Sequence, residues 1–558
     1  MKYSKLVDVY RELEQTQSTL EMTDILAEFF SENDEQLEEV ILLCMGRPFP
    51  YWKDLDLGIS SKTMVDILKE VTGKTESEIE EVWKKEGDLG DAAEIIMESG
   101  GGQQSLMQQD LTVERVNEKL EKVARMGEGS GETGKVSMDK KKREVAALLN
   151  DAEPEEGKYI VRTFIENLRL GVGEGIIRDA LAETFFEGEH KELIQKGYDL
   201  TNDFEEVAGA CREGVEALQQ LEIEVFRPIN SMLAKKVDTI EEGFEEVGEP
   251  AAIDYKYDGV RAQIHVKDGE VRVFTRRLEE VTEQFPDVVS AVEKCVDSDS
   301  CIIDAEVVAY DPEDGSTIPF QQLSKRVKRK YDIQKLKDEI PVEVRPFDLI
   351  YDNGSMLDRG YSERWNRLGE IIEEEKQEVR MADHDVTDEK EKVQEMQQKS
   401  LSDGHEGIMM KSTDAEYKPG NRVGYMVKLK PVMETLDLAI IGAKWGEGRR
   451  SEWLSRLKLG CWDEENQEYR MVGRMATGLT DEQLETITGK LEPLIVEEDG
   501  RDVKVRPEVI IEAEYEEIQE SPNYDSGYAL RFPRMKQFRE DKEEADSIEK
   551  VEDLYDSQ

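Results

Sequence analysis

Near Phe226 the spacing of apolar residues changes period. Upstream, apolar residues recur three and four positions apart, as in Leu37, Ile41, Leu42 and Met45, or Val161, Phe164, Ile165 and Leu168. That spacing gives each helix one buried face. Downstream, short β-rich runs take over at 262–266, 301–310, 342–351 and 425–429, several bounded by Asp-Gly or Asn-Gly turns. Helical patterns intervene at 362–376 and 387–399. A third region follows Pro431, beginning with the apolar run 436–443 and ending in a charged helical tail from Lys542. The expected fold class is therefore multidomain α+β: an all-helical region 1–222, a mixed α/β region 223–433, and a strand-rich region 434–558. The 558 residues suit three or four domains at roughly 150 residues each. No internal repeat of solenoid period is visible.

Gly100-Gly101-Gly102 and residues 127–134 read as connectors between helical segments. The second contains Gly129-Ser130-Gly131-Glu132-Thr133-Gly134-Lys135, which has phosphate-loop spacing. Such a loop needs Ser or Thr next and a buried strand before it. Here Val136 follows and the helical 120–125 precedes, so the match is rejected.

The chain carries 128 acidic against 74 basic residues, a formal charge of −54. The acids are spread along its whole length, as in 76–81 and 373–375, with no single acidic tail. In dilute buffer that field would repel any polyanion. Molar salt shrinks the Debye length to about 3 Å and makes the self-repulsion tolerable, so a halophilic cytosol is the expected setting. Against this background three basic clusters stand out: 140–143, 325–330 and 531–542. In such salt, a nucleic-acid binder cannot rest on counterion release alone. Five cysteines without a Cys-x-x-Cys pair, and only four histidines, argue against a disulfide scaffold and a zinc module. The N-terminus lacks an apolar signal core and no run is long enough to span a membrane. The expectation is a cytoplasmic, nucleoid-associated protein of a reducing compartment.

The candidate chemistry lies in Asp254-Tyr255-Lys256-Tyr257-Asp258-Gly259-Val260-Arg261. A lysine between a strand and a tight Asp-Gly turn has its stem in the fold and its amine in a cleft. Desolvation and nearby cations, Lys428 and Arg261 among them, would favour its unprotonated, nucleophilic form. Alone, Lys-x-Asp-Gly is a common hairpin. Its companions make it specific: a basic element with Arg276, an acidic strand with Glu306, Phe347 after Pro346, Glu406-Gly407, and the cations Arg422, Lys428 and Lys430. An amine attacking a nucleotide phosphate needs cations for the leaving group, carboxylates for a divalent metal and a ring for the base. Singly, Glu306 reads as a strand-edge acid and Phe347 as core.

In this order the motifs resemble the nucleotidyltransferase superfamily, most closely the archaeal and eukaryotic type of ATP-dependent DNA ligase, over nearly the whole chain. The resemblance implies that Lys256 takes up AMP. It implies nucleotide contacts from Asp254, Arg261, Arg276, Arg422 and Lys428, with Glu306 on ribose or metal and Phe347 stacked on adenine. Glu306 and Glu406 would hold Mg2+ or another divalent cation. Asp254 stands where the family more often has Glu, and Met426 where an aromatic is common. Arg531-Phe532-Pro533-Arg534 and 539–542 resemble the last motif, on an OB-fold.

Residues 167–174 and 198–203 resemble the helical DNA-binding domain of such ligases, where Arg169, Gly171 and Gly173 would bring backbone amides close to phosphate. The bland alternative there is a helix C-terminus with a glycine cap. Arg169, Lys328, Arg531 and Arg534 are the expected DNA contacts. Gln103, Leu106 and Met107 resemble a segment that binds a sliding clamp, with a plain exposed loop as the alternative. The implied activity is ATP-dependent sealing of nicked duplex DNA in replication, repair and recombination, by a monomer whose domains wrap the duplex. An RNA ligase, a capping-type guanylyltransferase and a non-catalytic scaffold are the competing readings.

Overall fold

A computed structural model describes residues 1–50, 52–53, 55–99, 110–126, 134–327, 333–431, 433–446, 450–542 and 544–556. The clamp segment with Gln103, Leu106 and Met107, most of the glycine connector 127–134, and Lys328 lie outside the described residues.

The chain divides into two compact units, one comprising Met1–Gly58, Asp110–Lys141 and Glu166–Pro431, the other Ile59–Gln109, Lys142–Ile165 and Val432–Gln558. The helical N-terminal residues are shared between them. Their helices follow the expected periodicity, and several start on side-chain caps. Thr75 and Glu78, for example, form a reciprocal capping box on Glu76–Glu86.

In the first unit the mixed region 223–433 builds two five-stranded sheets. One has the order Leu233–Val237, Arg422–Leu429, Gly407–Ser412, Ala251–Lys256 and His384–Thr387. The other has Glu270–Thr275, Val260–Lys267, Ser300–Tyr310 and Thr317–Ile318, with Val342–Asp352 also paired to Ser300–Tyr310. Helices Ile240–Val247 and Lys390–Ser402 cover the first sheet through Phe244, Val247 and Val393. Helix Pro286–Cys295 covers the second through Val288, Ala291 and Val292. Two elements end differently from the sequence reading. The 362–376 pattern stops at Ile371, because residue 372 turns into a β-bridge with Val296. The 387–399 pattern begins later, since Thr387 closes an edge strand and the helix runs Lys390–Ser402.

In the second unit Leu436–Lys444 is the organising strand. It pairs with Leu457–Asp463, Ile510–Glu514 and Asp502–Val505, curling a seven-stranded sheet around Leu438, Ile440, Leu459, Val472 and Ile511. The charged tail forms a helix only over Ile548–Asp556, where Val551 inserts into that core.

In two basic clusters individual members turn inward on folding, while Lys140, Arg143 and Lys325 stay exposed. Lys141 is buried and donates to the Leu57 carbonyl at 2.9 Å, while Lys142 pairs with Asp66 at 2.8 Å. Arg326 is fully buried and bidentate to Asp287, at 2.9 and 2.6 Å. A count of charges along the chain does not reveal these inward partners.

Candidate active site

Lys256 ends its strand, and the next strand of the same chain segment belongs to the other sheet, so Tyr257-Asp258-Gly259 is the corner between them. Gly259 cannot carry a side chain there, since a Cβ would lie 2.5 Å from the Val307 carbonyl and 2.9 Å from Glu306 Cγ. Asp258 accepts a hydrogen bond from the Phe320 amide at 3.0 Å, tying the corner to the following helix. Across the first sheet Lys256 is the partner of Gly407, and the Glu406 amide donates to the Lys256 carbonyl at 2.9 Å. Gly407 has φ of +129° and would place a Cβ 2.3 Å from the Leu429 carbonyl. Only glycine permits this approach.

The result is a tight charge cluster. The Glu406 carboxylate pairs directly with Lys256 Nζ and lies 3.0 Å from Lys430 Nζ. Burial pushes Glu406 up, but the two ammonium groups outweigh it and hold the carboxyl at about 2. The group against Lys256 is thus a carboxylate, rather than the cations Lys428 and Arg261 expected from sequence. Glu306 is the cross-strand partner of Arg261. Burial pushes Glu306 up to about 8, against the opposing pull of Lys256 and Arg261.

Phe347 owes its orientation to a register shift. Ala305 pairs with Pro346 and Asp304 with Asp348, leaving Phe347 as a surplus residue that the bulge turns out of the ladder. Arg261 lies 5.4 Å from its ring centroid and Lys411 Nζ 5.1 Å. Most donors of Arg261 are already committed. Its Nε and Nη2 bond Asp304 at 2.9 and 2.6 Å, and Nη1 bonds the Met232 carbonyl at 3.0 Å. The Asp254 side chain is 2% exposed and ion-paired to Lys411, which leaves its backbone for any ligand contact.

Arg276 and Arg422 are exposed, and Lys428 is half-buried on the Arg422–Leu429 strand. Desolvation and the neighbouring Arg261 and Arg422 push the Arg276 pKa down, so these three arginines share one electrostatic neighbourhood. Met426, at the unusual position, is buried in the core with Ile229, Met232 and Tyr417.

The expected DNA contacts fall into distinct environments. Arg169 is exposed with φ of +57°, in a loop that leads into helix Glu174–Phe186. Gly173 is the N-cap of that helix, and the preceding helix Pro154–Phe164 ends without a glycine, so the C-cap alternative does not hold. Arg531 pairs with Glu517 at 2.8 Å. Arg539 and Lys542 both pair with Asp437, and Lys536 with Glu512. Arg534 is exposed and has no ion-pair partner among the described residues.

Sequence reading missed Asp304, Asp348, Tyr361, Arg364, Lys411 and Tyr417, all buried near Phe347. The available signal was a charge inside an apolar strand pattern, as in Ile408-Met409-Met410-Lys411.

Comparison with known proteins bears on what this arrangement serves. The family model for the ATP dependent DNA ligase domain matches residues 231–430, that for the DNA ligase N terminus residues 2–182, and that for the ATP dependent DNA ligase C terminal region residues 450–542. The DNA ligase of Nanoarchaeum equitans is 41% identical over 100% of this chain and 99% of its own length. That of Thermococcus onnurineus is 42% identical over 100% of this chain and 98% of its own. A solved structure named "Pmar-Lig_Pre." shares the fold, with a TM-score of 0.61 at 17% identity over 96% of this chain and 99% of that one. A helical N-terminal domain, a two-sheet adenylation domain with its lysine at the corner, and a C-terminal OB-type domain thus occur together in the order that the matched families require, and the chain belongs to the ATP-dependent DNA ligase family.

Proposed function

We propose that Lys256 is the nucleophile of nick sealing, a reading carried by the convergence of Lys256, Lys430 and Glu406 on the ends of neighbouring strands. Lys256 Nζ gives up its ammonium proton to solvent and bonds the α-phosphorus of ATP as the bond to the bridging oxygen breaks and pyrophosphate leaves. The lysyl-bound AMP then passes to the 5′-phosphate of the nick. The 3′-hydroxyl attacks that activated phosphate and AMP departs. Lys430, Lys428 and Arg422 steady the phosphates, Phe347 stacks on the base, and Arg276 contacts the nucleotide.

Glu306 and Glu406 are the residues that would hold Mg2+. Their oxygens suit a hard cation, and a buried carboxyl pushed up to about 8, such as Glu306, gains most from one. When bound, the ion offsets charge developing on the phosphates. On DNA, exposed Arg169 and Arg534 are the stronger contacts, and Lys328 is a further one. Arg531 serves if its Glu517 pair opens.

The test is incubation with α-labelled ATP and magnesium in high potassium chloride, then denaturing electrophoresis, then nicked DNA. Wild type should carry a labelled band that the nick discharges with sealing. Lys256→Ala should carry none, a loss of at least ~10³-fold. A band that persists in Lys256→Ala overturns the assignment. Discharge onto RNA ends in preference to DNA would favour an RNA ligase.

A further inference from the structure

Three ion pairs, each with a buried acid, lie at or behind Phe347, and a single side chain ties them together. Lys411 pairs with Asp254, and both side chains are at most 5% exposed. Arg261 pairs with Asp304, whose side chain is 0% exposed. Arg364 pairs with Asp348 at 2.7 and 3.0 Å, with 0% and 3% exposure. The first two pairs place their cations beside the Phe347 ring, at 5.1 and 5.4 Å from its centroid. The third does not touch the ring. Its guanidinium lies 5.7 Å from the Tyr361 ring and 5.8 Å from the Tyr417 ring.

Those two tyrosines reach the other two pairs. The Tyr361 hydroxyl lies 3.3 Å from both Asp254 oxygens and accepts from Lys411 at 3.3 Å. The Tyr417 hydroxyl donates to Asp304 at 2.8 Å. Arg364 further donates to the Ala415 carbonyl at 2.8 Å, just before Tyr417. Tyr361 opens the helix that carries Arg364, and Asp348 follows Phe347 directly.

We propose that Arg364, acting through Tyr361 and Tyr417, is a positioning residue that fixes the Phe347 shelf and so sets affinity for the nucleotide base. The proposal rests on the reading of Phe347 as the base-stacking ring. Apolar residues of similar volume would stabilise the fold as well as these pairs do, because burying six charges costs desolvation that their attraction only repays. What the charged arrangement adds is direction. Bidentate and hydroxyl-bridged contacts fix angles that apolar packing leaves free. A stacking ring displaced by about 1 Å loses binding out of proportion to the contacts removed.

The measurement is the KM for ATP in self-adenylation, with the maximal rate and thermal midpoint taken on the same full-length protein. The brace variants are Tyr361→Phe, Tyr417→Phe and the charge-balanced double variant Arg364→Met with Asp348→Leu, each made in the wild-type and the Phe347→Ala backgrounds, with Phe347→Ala alone beside them. The tyrosine variants keep their rings and all three ion pairs, so they test the idea even if the double variant does not fold. The expected result is a KM raised on the order of tenfold by the hydroxyl and double variants, with maximal rates within about threefold. In the Phe347→Ala background the same changes should add nothing, since the ring they act through is gone.

Full additivity with Phe347→Ala, or an unchanged KM in every brace variant while Phe347→Ala raises it, would overturn the positioning role and leave the shelf standing. An unchanged KM in Phe347→Ala itself would instead sink the shelf reading, and the proposal with it.

Discussion

Glu306 and Glu406 are two carboxyls in one site, separated by their surroundings. Two ammonium groups hold Glu406 at about 2, whereas burial pushes Glu306 up to about 8. The second shift is a stability statement. Below the ordinary value of 4.5, Glu306 carries its proton in both the folded and unfolded chains. As pH rises from there to about 8, the unfolded chain ionises freely while the folded one resists, so the ligand-free protein loses stability across that window. Gln does not titrate. Glu306→Gln should therefore gain thermal midpoint over wild type progressively between pH 5 and 8, then level off, while losing self-adenylation. A midpoint difference independent of pH would show that Glu306 ionises normally in the fold.

At the scale of elements, two strand ends and one corner make the site, and glycines permit both. Gly407→Ala should cost ~3 kcal/mol, because φ of +129° and a 2.3 Å approach to Leu429 leave no room for relaxation. Gly369 lies in helix Tyr361–Ile371 of the same unit, and a methyl group added there would meet open space, so Gly369→Ala should stabilise by ~0.5–1 kcal/mol. Urea midpoints of the two variants should move in opposite directions; parallel shifts would contradict the close-approach argument. Residues 103–107 belong to the same scale: their deletion should abolish stimulation by a sliding clamp and spare clamp-free sealing, and stimulation that survives would remove the segment from the interface.

Across the whole molecule, a formal charge of −54 lies on a chain in which Arg261, Arg364 and Lys411 are each matched to a buried acid. Self-repulsion is then a surface property. Raising potassium chloride from 0.1 to 1 M, which shortens the Debye length from about 10 to 3 Å, should lift the thermal midpoint by on the order of 10 °C. Full stability in dilute buffer would refute the halophilic reading.

What sequence could and could not reveal follows the same division. The strands, the helices and Lys256, Glu306, Phe347 and Glu406 were legible because each motif is local, a few residues with a fixed turn or period. The brace was not, because Asp254 meets Lys411 and Arg261 meets Asp304 only after two sheets assemble. Basic clusters misled for the same reason: Lys141 and Arg326 look alike to Arg534 in sequence, yet the first two are interior.

Phe347 is one of two surplus residues in the Val342–Asp352 strand, the other being Ile350. Excising the Phe347 codon would leave Pro346 opposite Ala305 and Asp348 opposite Asp304, with every other pair of that ladder in place. A single in-frame deletion would thus remove the ring proposed to stack on the base while leaving those pairs in register. Run in reverse, one three-nucleotide insertion into an antiparallel ladder would be enough to raise a stacking platform, without any older contact being redrawn.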